Sequence, residues 1–185
     1  MREILRLAVV LTSICVGCAF FLTFVRGATK DRIEYQKIKL LVAPAVEAVF
    51  PSYDNDPILE RIKVKITEEK IVTVFPAKKG GKLIAIGYTG IGTGHGGPVE
   101  VMLGLTLEGK ILGITVVSHA ETPGIGDKPV KSDEFLGQFK GKTLESDIEG
   151  EIQAVSGSTE TSTAITEGVS NGMKLFSKIK KEIRG

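Results

Sequence analysis

The stretch AVSGSTETSTAITEGVSNG, residues 154–172, changes from a loop of small residues into a helix. Apolar residues then recur at every third or fourth position, which predicts an amphipathic helix with one face on a core. These positions are Ile165, Val169, Met173, Phe176 and Ile179. A helix start offers unpaired backbone N–H groups and the positive end of the helix dipole. Because serine and threonine hydroxyls crowd this start, it is either a phosphate-binding loop or a plain helix cap.

An uncharged apolar run of 19 residues, 7–25, lies far upstream of that helix. At about 1.5 Å per residue it is close to the ~30 Å thickness of a bilayer core. We therefore expect a retained transmembrane helix, with a cleaved signal peptide or lipidation at Cys18 as alternatives. Residues 1–6 are then the cytoplasmic N-terminus. Basic residues flank the run on both sides, so the positive-inside rule leaves the orientation open.

The segment after the apolar run predicts an α+β domain. Residues 26–57 are expected to form a linker helix, which Pro44 ends or kinks, followed by a loop. Alternating apolar residues in 58–185 predict a mainly antiparallel sheet with helices packed against it. The strands are expected at 62–66, 71–75, 83–88, 99–107 and 110–118, with turns at Glu68-Glu69, 78–81 and Glu108-Gly109, a glycine-rich connection at 87–97 and a short helix at 132–139.

Composition excludes several functional classes. The net charge of +2 gives no polyanion-binding signature, and hence no argument for nucleic acid. The chain has two histidines, His95 and His119, which do not make a plausible metal site. Both cysteines, Cys15 and Cys18, fall inside the apolar run, so the domain has neither a disulfide nor a thiol nucleophile.

Two glycine-rich loops follow predicted strands, GHGGP at 94–98 and HAETPGIGDK at 119–128. Binding residues concentrate in loops on a rigid sheet. Pro123-Gly124 suits the two central positions of a type II turn. A hydrolase would pair His119 with Ser156 and use Glu121 to orient the base, but no G-x-S-x-G elbow is present to support it.

Three strings taken together resemble the RnfG family of FMN-carrying subunits of Rnf electron-transport complexes, which is related to NqrC. They are GHGGPVEVMLGL, SHAETPGIGDK and SGST before the last helix. In that family the terminal Thr of an S/T-G-A-T motif carries FMN through a phosphoester bond, and the matching residue here is Thr159. This chain has Ser158 where the family usually has Ala, and Gln153 where it usually has Asp.

The resemblance also implies a set of FMN-binding residues around Thr159. The loop from Glu121 to Gly126 is expected to lie against the isoalloxazine ring, with the small apolar Ile125 in contact. The full set is His119, Glu121, Thr122, Pro123, Gly124, Ile125, Gly126, Ser156, Gly157, Ser158, Gly96 and Gly97.

The function implied by the resemblance is that of a one-span electron-transfer subunit, not catalytic alone. It would serve a membrane ferredoxin:NAD oxidoreductase coupled to Na⁺ or H⁺ translocation, with its soluble domain outside the cytoplasm on the inner (cytoplasmic) membrane. Expected partners are other Rnf-type membrane subunits, including a second flavin-carrying one, and a flavin transferase that uses FAD. The alternatives are an NqrC-like subunit of a Na⁺-pumping NADH:quinone reductase, a flavin-free assembly module, and a free-standing flavin reductase or sensor.

Overall fold

The computed structural model describes residues 2–67 and 71–184 and divides into two compact units between Leu40 and Leu41. In the first unit, helix α1 spans Arg2–Lys37. Its segment Arg2–Lys30 has a mean hydropathy of 2.4 in its most apolar window, none of which is buried within the isolated chain. By length and composition it can cross a membrane, and it contains the predicted span 7–25.

Helix α2, Ala43–Val49, belongs to the second unit, although it lies within the predicted linker. A π-helical segment, Ile38–Val42, precedes it. Pro44 occupies the first turn of α2, where a missing N–H group costs little. The interruption that was predicted at Pro44 therefore lies just before it, and the proline starts a helix instead of ending one.

The second unit is built on a five-stranded sheet in the order β1-β2-β3-β4-β5, with every neighbouring pair antiparallel. The α+β prediction is thus confirmed. The turn at Glu108-Gly109 is also confirmed between β4 and β5, with Gly109 at φ 87°. The predicted turn at Glu68-Glu69 lies outside the described residues. The strands are β1 Ile62–Lys65, β2 Ile71–Lys79, β3 Lys82–Gly94, β4 Gly97–Thr106 and β5 Ile111–Ser118.

Strands β2 and β3 are longer than predicted, and the glycine-rich connection expected at 87–97 is mostly strand. Glycine is a poor strand former, but here it lets a helix backbone come close. A Cβ atom built on Gly92 would lie 1.9 Å from the Ala164 carbonyl oxygen, and one on Gly90 would lie 2.0 Å from the Gly168 oxygen. Packing against α5 thereby outweighs the low strand propensity of glycine. The turn between β3 and β4 consists of His95-Gly96 alone.

Helix α5, Thr159–Arg184, covers one face of the sheet. Its apolar positions enter the larger core cluster, as their spacing predicted. The buried Tyr88 hydroxyl donates to the Gly172 carbonyl at 3.0 Å, and burial raises the Tyr88 pKa well above its ordinary value. Two short helices, α3 Asp133–Gly137 and α4 Ile148–Glu151, precede α5. The short helix predicted at 132–139 is therefore present, with Ser132 as its N-cap.

Helix α2 packs on the opposite face of the sheet. Val49 and Phe50 join a smaller core cluster with Phe75 and Met102. Gly104 of β4 faces Val49, and a Cβ atom added there would lie 2.7 Å from the Val49 carbonyl oxygen. The sheet is thus the central layer, with α2 on one side and α5 on the other.

Candidate functional site

Three loops meet where α5 begins: the hairpin tip (residues 94–97), the ETPG loop (residues 119–128) and the SGST turn (residues 156–159). The Gly96 N–H donates to Glu121 Oε1 at 3.1 Å, which joins the first two. The Ser158 hydroxyl donates to the Ile125 carbonyl, which joins the last two. His95 Nδ1 lies 3.1 Å from Glu160 Oε2, so the hairpin tip also reaches the first turn of α5.

The hairpin tip and the ETPG loop lie too close together for side chains on the intervening glycines. A Cβ atom on Gly94 would lie 2.2 Å from Glu121 Oε1, and one on Gly96 would lie 2.1 Å from the Ala120 carbonyl oxygen. Gly97 begins β4 at φ 130°, a conformation that favours glycine. The protein alone therefore needs a glycine at Gly96 because of the close Ala120 backbone, and at Gly97 because of its backbone conformation.

The ETPG loop exposes its tip and buries its base. The Ile125 N–H donates to the Thr122 carbonyl at 3.3 Å, and Gly124 has φ 80°, so the predicted type II turn over Pro123-Gly124 is confirmed. Thr122 through Ile125 are exposed, and Ile125 is 63% exposed. By contrast Glu121 is buried. The tip of the loop therefore exposes backbone groups and one apolar side chain.

Asp127 fixes the base of the same loop. Its buried carboxylate accepts the Gly124 N–H at 2.7 Å and pairs with Lys131, one turn onward. The Lys131 ammonium, with help from the Gly124 amide, holds the pKa of Asp127 below its usual value. The loop is thus closed on itself by a carboxylate that stays ionised at neutral pH.

The hydroxyls at the start of α5 divide into two classes by burial. Ser162 is buried, and its hydroxyl accepts the Val155 N–H and donates to the Ser158 carbonyl, both at 3.0 Å. Thr159, the first residue of α5, is exposed. Gly157, at φ 76°, makes the sharp turn into the helix. The buried group is Ser158, Thr161 and Ser162, and the exposed group is Ser156, Thr159 and Thr163.

The hydrogen bonds of His119 do not suit a catalytic base. Its Nδ1 accepts the Glu121 N–H at 3.3 Å and therefore carries no proton to donate. The Glu121 carboxylate accepts from Gly96, not from an imidazole. A triad needs His Nδ1–H to donate to the carboxylate, so the hydrolase alternative lacks its central hydrogen bond.

Two features beside the SGST turn had no sequence signal. Gln138 reaches across from α3, where its side chain accepts the Gln153 N–H at 2.8 Å and donates to the Gln153 carbonyl at 3.1 Å. The Gln153 side chain is left exposed. A cavity of about 220 Å³ also runs along the first turns of α5. Its walls include Ile152, Ala154, Ser162, Thr163 and Thr166.

Comparison with known proteins gives one family model and a consistent set of relatives. The model of the FMN-binding domain matches residues 94–174, which begins at the hairpin tip and includes all three loops. The chain is 32% identical to the RnfG-type protein of Acetobacterium woodii, the G component of a Na(+)-translocating ferredoxin:NAD(+) oxidoreductase complex, over 91% of this chain and 88% of that one. It is 30% identical to the G component of the ion-translocating oxidoreductase complex of Cereibacter sphaeroides, over 89% and 80%.

Two further similarities are partial. The G component of the ion-translocating oxidoreductase complex of Stutzerimonas stutzeri is 35% identical over 63% of this chain, which spans just over half (56%) of that protein's length. Among solved structures, NqrC of Shewanella oneidensis is similar with a TM-score of 0.50 and 24% identity, over 74% of this chain and 72% of that one. This last likeness concerns the fold.

Proposed function

The chain belongs to the RnfG family of ion-translocating oxidoreductase complexes, and on that premise we propose that it is an electron carrier with FMN covalently bound to Thr159. It would serve a membrane complex that couples electron transfer from ferredoxin to NAD with Na⁺ or H⁺ translocation. The names of its relatives support this setting, and its FMN-binding domain supports the cofactor.

The exposure of Thr159 at the very start of α5 is the observation that carries the proposal. Thr159 is open to solvent, whereas the hydroxyls of Ser158 and Ser162 are buried and hydrogen-bonded. Thr159 is also the first residue of a 26-residue helix. A phosphate ester there would lie beside the unpaired N–H groups of the first turn and the positive end of the helix dipole, both of which favour an anion.

The ETPG loop is the surface on which we place the isoalloxazine ring. Its exposed backbone from Thr122 to Ile125 offers hydrogen-bonding groups, and the Ile125 side chain offers apolar contact. FMN supplies the electron-carrying chemistry when bound, and the protein orients the ring and sets its surroundings. Glu121 contributes indirectly, because its carboxylate holds the hairpin tip against the loop.

A flavin transferase is the partner that the chemistry of attachment requires. A threonine hydroxyl is a weak nucleophile, and His119 Nδ1 is already used. With FAD as donor, an ester bond forms between Thr159 Oγ1 and the FMN phosphorus. The pyrophosphate bond of FAD breaks, AMP leaves, and the hydroxyl proton is released. The exposed Gln153 side chain, three residues before Ser156, lies where such an enzyme would read the motif.

The apolar segment of α1 would anchor the chain in the inner membrane through residues 7–25. We place residues 58–185 outside the cytoplasm as the FMN-binding domain, near other membrane subunits, one of which carries a second flavin. Protease added to intact cells and to spheroplasts tests the orientation. If the protease cleaves the domain in spheroplasts whose membrane is still sealed, the result supports this orientation. If the domain is protected until the cells are lysed, the result contradicts this orientation.

The attachment itself is tested with two variants, each of which replaces one threonine, and the two threonines lie one helical turn apart. The wild type, Thr159→Ala and Thr163→Ala are each expressed with a flavin transferase, denatured, and examined by gel fluorescence and intact mass. We expect covalent FMN on the wild type and on Thr163→Ala, and complete loss on Thr159→Ala. Both threonines are exposed, so accessibility alone does not separate them.

Two outcomes would overturn this proposal in different ways. Fluorescence retained by denatured Thr159→Ala would move the attachment to another residue. A wild type without flavin would favour the assembly-module alternative, for which the departures at Gln153 and Ser158 are the supporting observation.

A further inference from the structure

Ser158 lies next to the proposed attachment residue but faces the other way. Its side chain is buried, with 6% of the residue exposed, and its hydroxyl donates to the Ile125 carbonyl, 33 residues earlier in the chain. Thr159 is exposed. One turn of backbone therefore presents one hydroxyl outward and uses the other to hold the ETPG loop.

The backbone of Ser158 is itself firmly held. Its N–H donates to the Val155 carbonyl, and its carbonyl accepts both the N–H and the hydroxyl of Ser162, all at 3.0 Å. Ser162 in turn accepts the Val155 N–H. Because these bonds fix Ser158 relative to α5, its hydroxyl is a rigid donor to the loop.

The ETPG loop has separate attachments at its base and at its tip. At the base, Glu121 accepts from Gly96 of the hairpin tip, and the buried Asp127 accepts from Gly124 of the exposed tip. The tip also carries Ile125, which is 63% exposed and whose carbonyl accepts from Ser158. The Ser158 bond thus joins the exposed tip to the helix that begins with Thr159.

We propose that Ser158 is a positioning residue that holds the tip of the ETPG loop at a fixed place relative to the flavin tethered on Thr159. This role rests on the proposed function. An alanine at this position cannot donate, so the hydroxyl gives this chain a tie that an S-G-A-T sequence lacks. The tether and the surface under the ring are thereby held by adjacent residues of one turn.

The first experiment needs no flavin. Amide hydrogen exchange is measured in the full chain in detergent, before flavin attachment, for the wild type, Ser158→Ala and Thr163→Ala. The reporters are the N–H groups of Ile125 and Gly126, both of which donate to the Thr122 carbonyl. We expect exchange at these two amides to become about fivefold faster in Ser158→Ala, the factor that corresponds to a net hydrogen bond of about 1 kcal/mol.

Thr163→Ala is the matched control, because Thr163 is an exposed hydroxyl near the start of α5 and is not among the expected FMN-binding residues. Its exchange should equal that of the wild type. Ser158→Cys, which keeps the side-chain size with a weaker donor, should fall between the wild type and Ser158→Ala. Unchanged exchange in Ser158→Ala overturns the proposal, and so does an equal rise in Thr163→Ala.

The second experiment reads the consequence at the flavin. The same variants are labelled with FMN by a flavin transferase, and iodide quenching of the flavin and its midpoint potential are measured. We expect full labelling of Ser158→Ala, stronger quenching and a shifted potential, with Thr163→Ala unchanged. If the exchange rates change as expected but the wild type carries no covalent FMN, then the proposed function alone is refuted. Faster exchange with unchanged quenching and potential would refute the positioning role alone.

Discussion

The two faces of the sheet are covered by helices that approach in different ways. On the α5 side, backbone meets backbone, since a Cβ atom on Gly92 would lie 1.9 Å from the Ala164 carbonyl oxygen. On the α2 side, a Cβ atom on Gly104 would lie 2.7 Å from the Val49 carbonyl oxygen and 2.9 Å from the Val49 Cβ atom. Neither contact can be relieved by rotating a side chain, and the α5 contact is the tighter of the two. The α5 contact therefore fixes where the helix sits along β3, and with it the position of Thr159.

The largest effect should come from breaking the α5 contact with Gly92→Ala. We expect the free energy of unfolding to fall by about 3 kcal/mol, the upper end of the usual range for overpacking, because the helix must move as a unit. Labelling of Thr159 should fall with it. Pulse proteolysis of the full chain in urea and mild detergent measures the first, and gel fluorescence after labelling measures the second.

Gly137→Ala in α3 is the control for this change, because a Cβ atom there meets nothing within 4 Å. Its unfolding free energy should stay within about 0.5 kcal/mol of the wild type. If Gly92→Ala behaves like Gly137→Ala, then the close approach of α5 does not set the position of Thr159.

A smaller loss is expected for Gly104→Ala on the α2 side. We expect the unfolding free energy to fall by about 1–2 kcal/mol, because the added atom would intrude less far than at Gly92 and the short α2 can shift. Labelling of Thr159 should be unchanged in the folded protein, since the site lies on the other helix. The same two measurements apply. If Gly104→Ala lost labelling at a urea concentration where its domain still resists protease, then the two faces of the sheet would not differ in their effect on Thr159.

The smallest effect is expected for Tyr88→Phe, which removes a hydrogen bond on the α5 face without changing its shape. The Tyr88 hydroxyl donates to Gly172 at 3.0 Å inside the core. Its loss should lower the unfolding free energy by about 1 kcal/mol while labelling continues. If the unfolding free energy fell as far as in Gly92→Ala, then this hydrogen bond, and not the backbone contact, would be what holds α5 on the sheet.

Residues with a local signal were predicted well from the sequence. Glu108-Gly109 made its hairpin turn, Pro123-Gly124 made its type II turn, and the apolar spacing from Ile165 to Ile179 made an amphipathic helix. In each case the backbone preference and the burial pattern agree within a few residues of one another.

Features that depend on distant residues were not predicted. Gly90 and Gly92 suggested a loop, and only contact with α5 explains why they lie in a strand. In the sequence Ser158 is only a departure from a motif, whereas in the fold its hydroxyl bonds a carbonyl 33 residues away. Gln138 had no recognisable role, because its partner Gln153 is 15 residues onward in irregular chain. A pattern within one window does not contain these pairings.

The order of elements along the chain has a consequence for maturation. Strands β1 to β5 pair only with their sequence neighbours, so hairpins can form while synthesis continues. Helix α5 comes after all of them, and its bond from Tyr88 to Gly172 closes 84 residues. Such a contact forms late because the loop-closure entropy must be overcome first. A modifying enzyme that reads the finished turn around Thr159 would therefore act only on domains in which α5 is already packed on the sheet.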